Sequence, residues 1–133
     1  MTYIVELSLR PVHLKNFSTI KEIITNNAIK KNCDFYYEDS EYSKINGKYE
    51  SLVLLNYTFL DEKNTLSFIR FLKEEYKKKV TIEYVSYEGT EHLIIYASRK
   101  YLMLAGKYNL KKYKYNKKLD LLKQYAPLLT TVL

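Results

Sequence analysis

With 133 residues and 47% apolar side chains, this chain is long enough to bury a core without disulfides or metals, which excludes wholesale disorder. One cysteine (Cys33) and two histidines (His13 and His92) exclude an internal disulfide and the ligand spacing of a structural zinc site. Charge is divided unevenly, because residues 1–97 carry 13 Lys/Arg and 14 Asp/Glu whereas residues 98–133 carry nine Lys/Arg and one acid.

Alternation and helical spacing predict a strand followed by a helix at the start of the chain. One side of residues 2–10 carries Tyr3, Val5, Leu7 and Leu9. This period of two predicts a strand, which Pro11 ends. Asn16 or Ser18 can cap a helix that extends to Lys31, and Lys30 and Lys31 suit its C-terminal end. Its apolar stripe consists of Phe17, Ile20, Ile24 and Ala28.

A hairpin is predicted next. Residues 33–42 alternate, with Cys33, Phe35 and Tyr37 on the inner side. Asn46-Gly47 is the strongest turn signal in the chain, because both residues accept positive φ. Residues 48–60 are apolar on both sides, which indicates a central strand.

The second half of the body repeats the helix–strand order. A helix is predicted over residues 61–78 and a strand over residues 80–87. After the turn at Gly89, residues 91–97 are predicted as an added edge strand. The helix presents Thr65, Phe68, Ile69, Leu72 and Tyr76 on its inner side.

The resulting order, β-α-β-β-α-β plus one strand, resembles the ferredoxin-like split βαβ fold. We therefore predict an α+β antiparallel sheet with two helices on one side, formed by residues 1–97. Residues 98–133 are predicted to be a basic extension docked on the same domain. It would contain a short helix closed by Gly106 and a second short helix stopped by Pro127.

The basic segment, residues 107–118, is the main candidate binding site. Lys side chains neutralise phosphates and Tyr rings stack on unpaired bases, so single-stranded nucleic acid is the favoured partner. A solvated connector, or a segment that binds an acidic protein, is the alternative, and a membrane partner is not expected because the segment lacks an amphipathic face. The predicted contact residues are Lys107, Lys111, Lys112, Tyr113, Lys114, Tyr115, Lys117 and Lys118.

The sheet side away from the helices is a second candidate. It is predicted to be apolar enough to require cover, from the extension or from a second copy of the chain. The predicted self-association residues are Ile4, Leu52, Leu54 and Val85. Residues 3–7 (YIVEL) faintly resemble the first RNA-recognition motif, but residues 47–52 (GKYESL) depart from the second, so we do not expect that binding mode.

Catalytic and metal sites are not predicted. His13 and His92 could form a metal pair or supply a general base, but we expect both to be ordinary polar surface residues. Cys33 is expected to be a buried core thiol. Residues 38–41 (EDSE) could hold a cation or a neighbour's basic extension, or simply face solvent. No glycine-rich phosphate loop occurs, and we expect no cofactor.

The composition also bears on origin and location. The 22 basic residues include only three Arg, and Tyr, Ile and Asn are abundant, which are residues of AT-rich codons. In composition the chain resembles small proteins of giant AT-rich DNA viruses of the mimivirus kind. With no signal peptide and no run of ~20 apolar residues, an intracellular location, cytoplasmic or nuclear, is expected. The sequence thus predicts a non-enzymatic nucleic-acid-binding module, or alternatively an assembly protein that forms a homodimer and binds an acidic protein.

Overall fold

The computed structural model describes residues 2–88 and 92–98. Within them, five strands and two α-helices follow in the order β1 (Thr2–Leu9), α1 (Phe17–Lys30), β2 (Phe35–Ile45), β3 (Lys48–Phe59), α2 (Glu62–Tyr76), β4 (Thr81–Glu88) and β5 (His92–Ala97), with a short 3₁₀ helix (Pro11–His13) between β1 and α1. The strands form one antiparallel sheet in the order β2-β3-β1-β4-β5. The predicted α+β class and the antiparallel sheet are therefore confirmed.

The core lies between one side of the sheet and the two helices. β1 contributes Val5, Leu7 and Leu9, all with no exposed surface, and α2 contributes Phe68 and Ile69. Each fully buried side chain of this kind stabilises the fold by about 1.5–3 kcal/mol, so the stripe predicted for α2 anchors it to the sheet. Tyr57 of β3 packs edge-on against the Phe68 ring and Phe59 packs against it at a tilt of 43°, with centroids 5.0 and 5.2 Å away.

The turn between β2 and β3 and the start of α2 are each formed by residues typical of such positions. Asn46 and Gly47 adopt φ of 51° and 81°, the left-handed pair that joins β2 to β3 in a tight hairpin. At the start of α2, the Asp61 carboxylate accepts a hydrogen bond from the Asn64 backbone N–H at 3.0 Å, which caps the helix. By contrast, Asn16 precedes α1 with φ of 58° and no side-chain cap.

The inward side of β2 was predicted incorrectly. Tyr36 faces the helices, with its ring stacked on Tyr57 at 6.2 Å, and Phe35 and Tyr37 face away, although all three are about half exposed (56%, 49% and 46% for Phe35, Tyr36 and Tyr37). The reason is register, because Tyr36 lies opposite the core residue Tyr57. Cys33 precedes the strand and is half-buried against the core, where burial raises the pKa of its thiol. The two short helices predicted after residue 98 lie outside the described residues.

Candidate binding surface

The sheet side that points away from α1 and α2 carries a group of carboxylates. The register places Tyr37, Asn56, Glu6 and Tyr84 side by side in one row across β2, β3, β1 and β4. Because strand side chains alternate, every second residue from this row faces the same way. The acidic members of this surface, hereafter the acidic face, are Glu6, Asp39, Glu41, Glu50 and Glu88, together with Glu83, which a bulge in β4 turns to the same side.

Positive charge is scarce on the same side. Within the described strands Lys48, at the hairpin end of β3, is the single Lys or Arg at these positions, and Arg10, directly after β1, is already paired with Glu50. Burial raises the pKa of the Tyr37 hydroxyl, and the nearby negative charges of Glu6 and Asp39 raise it further. The acidic face is therefore suited to a cationic partner.

Part of this side is buried even though both described α-helices pack on the other side. Leu52 and Asn56 are each 3% exposed, and Ser86 has no exposed surface. The Asn56 amide donates to the Tyr84 hydroxyl at 3.2 Å, whereas the buried Ser86 hydroxyl has no hydrogen-bond partner among the described residues. A bare sheet surface would leave such residues accessible to water, so they must be covered.

Glu83 is held by a buried hydrogen-bond cluster on this side. The Ser8 hydroxyl donates to Oε1 of Glu83 and the Ser98 hydroxyl donates to Oε2, each at 2.7 Å. The Ser98 backbone N–H also donates to the Glu83 carbonyl at 2.7 Å. A break in register opposite Glu6 and Leu7 leaves Glu83 without a partner in β1, so that its side chain joins Ser8. No sequence signal marks this bulge, and sequence reasoning therefore missed Glu83.

A small ionic cluster lies at the end of β1. The Arg10 guanidinium donates to Oε1 of Glu50, and both Arg10 Nη2 and Glu50 Oε2 lie 3.0 Å from Nε2 of His13. Hydrogen bonds from Arg10, and then from His13, lower the pKa of the Glu50 carboxyl, although its burial opposes them. His13 is exposed and lines none of the cavities described here, so this cluster lacks the enclosed pocket that a general base needs.

The largest described cavity is a groove of about 430 Å³ between α1 and β2. Ile29, Tyr36 and Leu55 form its apolar wall. Lys21 and Glu38, which are joined by a 2.7 Å ion pair, lie at its rim. The Thr25 and Tyr57 hydroxyls lie 2.8 Å apart beside it. Its lining contains no His or Cys, so the groove offers a contact surface and no reactive group of those kinds.

The predicted site residues separate into two groups. Ile4, Leu52 and Leu54 lie on the side predicted for them, but Val85 does not. Val85 pairs with Val5, has no exposed surface and belongs to the core, because the bulge in β4 reverses which residues face the helices. The eight contact residues predicted within 107–118 lie outside the described residues, and of His92 only the strand backbone is described.

Comparisons with known proteins identify no family. No family model matches the chain, and no curated protein matches it. Among solved structures, the chain is similar to MupZ from Pseudomonas fluorescens, with 17% identity and a TM-score of 0.39 over 86% of this chain and 80% of that one. A likeness at this level supports no statement about function.

No helix among the described residues is long and apolar enough to cross a membrane. In the same part of the chain, no three His, Cys, Asp or Glu side chains are grouped so that they could hold a metal ion.

Proposed function

We propose that this protein is a non-enzymatic binding module that associates with nucleic acid through residues 107–118. The observation that supports this proposal is the separation of charge. Six Lys and no acid lie in residues 107–118, whereas the acids of the described strands, except Glu38, lie on one face of the sheet. A polyanion is the partner that such a segment attracts most strongly, and electrostatic attraction also speeds the encounter.

The body is proposed to belong to the ferredoxin-like class. The order β2-β3-β1-β4, with a helix in each of the two crossovers, supports this assignment, and β5 is then the added strand beside β4. This fold hosts many functions, so the functional argument depends on charge and not on the fold.

The proposed mechanism is electrostatic and only weakly sequence-specific. Lys111, Lys112 and Lys114 would neutralise phosphates, and Tyr113 and Tyr115 would stack on unpaired bases, each for about 1–3 kcal/mol. The acidic face would repel phosphate, so the sheet is not proposed as the nucleic-acid site. In this respect the protein would differ from RNA-recognition domains, which bind RNA on the sheet.

A titration with labelled single-stranded RNA and DNA tests this proposal. Changing Lys111, Lys112 and Lys114 together to Gln should weaken binding at least tenfold and flatten its salt dependence, because about three phosphate contacts are lost. The matched control changes Lys77, Lys78 and Lys79 to Gln, since these three lysines are exposed on the body and carry the same charge. Equal losses in the two variants, or no binding at low salt, would contradict the proposal.

The alternative function is an assembly protein that forms a homodimer through its sheet face and binds an acidic protein. Exposed aromatic side chains on the edge strand β2 favour some macromolecular contact. The predicted dimer surface is less suited to it, because Leu52 is already buried in a single chain. For either function, a cytoplasmic or nuclear location is proposed, and the host cytoplasm if the protein is viral.

A further inference from the structure

We propose that the acidic face is the docking surface for the basic segment of the same chain, residues 107–118. The same lysines would then be shared between this face and nucleic acid, so that the sheet competes with the ligand. The docking itself does not depend on the proposed function, and only the competition rests on it.

Charge complementarity is the first argument. Asp39 and Glu41 of β2 and Glu6 of β1 lie on one side of the sheet, with β3 between the two strands, and the described strands offer a single Lys there. Six Lys within twelve residues supply the opposite charge. Several ion pairs formed together resist screening better than an isolated surface pair, which typically contributes less than about 1 kcal/mol.

The length of the connection is the second argument. Ser98 already lies on this side of the sheet, since its hydroxyl donates to Glu83 at 2.7 Å. Lys107 lies nine positions after Ser98, and an extended chain spans about 3.3 Å per residue, or roughly 30 Å. The distance from β4 to β2 is three strand spacings, about 14 Å. The segment can therefore reach Asp39 and Glu41 without unfolding any described strand.

The burial of Leu52, Asn56 and Ser86 is the third argument. These residues face away from both described α-helices, yet almost none of their surface is exposed. Cover must come from outside the described elements, and residues 99–133 continue the chain from this side of the sheet. A second copy placed face to face would bring the carboxylates of two acidic faces together, which is unfavourable.

Carbodiimide cross-linking of the full chain tests the docking directly, because it joins carboxylates to amines that touch. An equal mixture of natural and nitrogen-15-labelled protein separates links within a chain from links between chains. We expect links within one chain between Glu6, Asp39 or Glu41 and the lysines of residues 107–118. These should be several-fold more abundant than links from Glu74 and Glu75, two exposed acids on α2 that serve as the internal control.

Three results would overturn the docking. They are equal yields from the acidic face and from α2, links formed only between chains, and no link from the face to the basic segment. Failure of the proposed function has a different signature. If the protein binds neither single-stranded RNA nor DNA, but the cross-links between the acidic face and residues 107–118 of one chain are present, the docking stands and the nucleic-acid function fails.

Affinity measurements test the competition. In the variant Asp39→Asn/Glu41→Gln, release of the segment should tighten binding to labelled single-stranded DNA about fivefold, because a larger fraction of the chains is competent to bind. The control variant Glu74→Gln/Glu75→Gln has the same change in net charge. It should tighten DNA binding clearly less, because these two acids lie on α2 and not on the acidic face. If the two variants bind equally well, the acidic face does not compete and the proposal of competition is overturned.

Discussion

At the scale of single residues, Glu83 shows how a bulge changes the chemistry of a surface. Simple alternation along β4 would place residue 85 on the side away from the helices, and the sequence prediction did so. The break in register instead sends Val85 into the core and brings Glu83 beside Ser8. Hydrophobic pattern alone cannot reveal this, because the extra residue is defined by pairing with β1 and not by its own chemistry.

Replacing Glu83 should therefore destabilise the fold. Glu83→Ala leaves the buried Ser8 and Ser98 hydroxyls without their acceptor, which we expect to lower the free energy of unfolding by about 2–4 kcal/mol. Glu83→Gln keeps one acceptor oxygen and should cost clearly less. Urea denaturation measures both, with exposed Glu74→Gln as the control. An unchanged midpoint for Glu83→Ala would show that the cluster is not formed.

Glu50 gives a residue-scale prediction about pH. Arg10 is the main cause of the lowered pKa of this carboxyl, and His13 contributes less. Arg10→Gln should therefore raise the pKa of Glu50 towards its ordinary value of 4.5, and His13→Gln should raise it less. A lowered pKa stabilises the fold above the ordinary value, and this contribution is lost as the pH falls through the lowered one. Carboxyl NMR titration of the three proteins measures the effect, and an identical pKa in all three would contradict it.

At the scale of elements, α1 is joined to the sheet through a polar contact as well as through its apolar stripe. Tyr57 of β3 is buried and its hydroxyl lies 2.8 Å from that of Thr25. Burial, as the largest cause, raises the pKa of Tyr57 from 10.0 to about 12. The folded state thus favours the protonated phenol, so its contribution to stability is complete below pH 10.0 and is lost as the pH rises towards about 12.

Tyr57→Phe removes this titration. In the variant, the free energy of unfolding should fall less steeply between pH 10.0 and about 12 than in the wild type. At neutral pH the lost hydrogen bond should cost about 1 kcal/mol. Denaturation at a series of alkaline pH values measures both effects. Tyr42→Phe, at a 79% exposed position, is the matched control and should leave the alkaline slope unchanged.

Elements with a strong periodic signal could be predicted from sequence, and edge elements could not. The apolar stripe of α2 and the alternation of β1 each have one side that must be buried, so their facing follows from the residues alone. In β2 both sides carry aromatic residues, and its position at the sheet edge leaves Phe35, Tyr36 and Tyr37 all about half exposed. Which side faces inward is then decided by the register with β3, a long-range property.

At the scale of the whole molecule, charge is arranged in space and not only along the chain. The basic segment is visible in the sequence because its lysines are contiguous. The acidic face is not, because Glu6, Asp39 and Glu88 come from three strands that are far apart in sequence and meet only through pairing. The basic segment could thus be predicted from composition, whereas the acidic face could be recognised only from the sheet topology.

The buried position of Leu52 leads to the last prediction, which concerns self-association. If the side of the sheet away from the helices is covered within one chain, Leu52→Asp places a charge in a closed apolar site and should destabilise the monomer by about 3 kcal/mol or more. Thr81→Asp adds the same charge at an exposed position at the β4 end of the same face and should cost far less.

Light scattering and urea denaturation, performed on the same samples, separate the two interpretations. Cover within one chain predicts an unchanged molecular mass and a lower midpoint for Leu52→Asp. A dimer interface through this face predicts instead a wild-type dimer that Leu52→Asp converts into a monomer of nearly normal stability. Because an obligate dimer gains stability with protein concentration and a covered monomer does not, repeating the denaturation at a higher concentration decides between them.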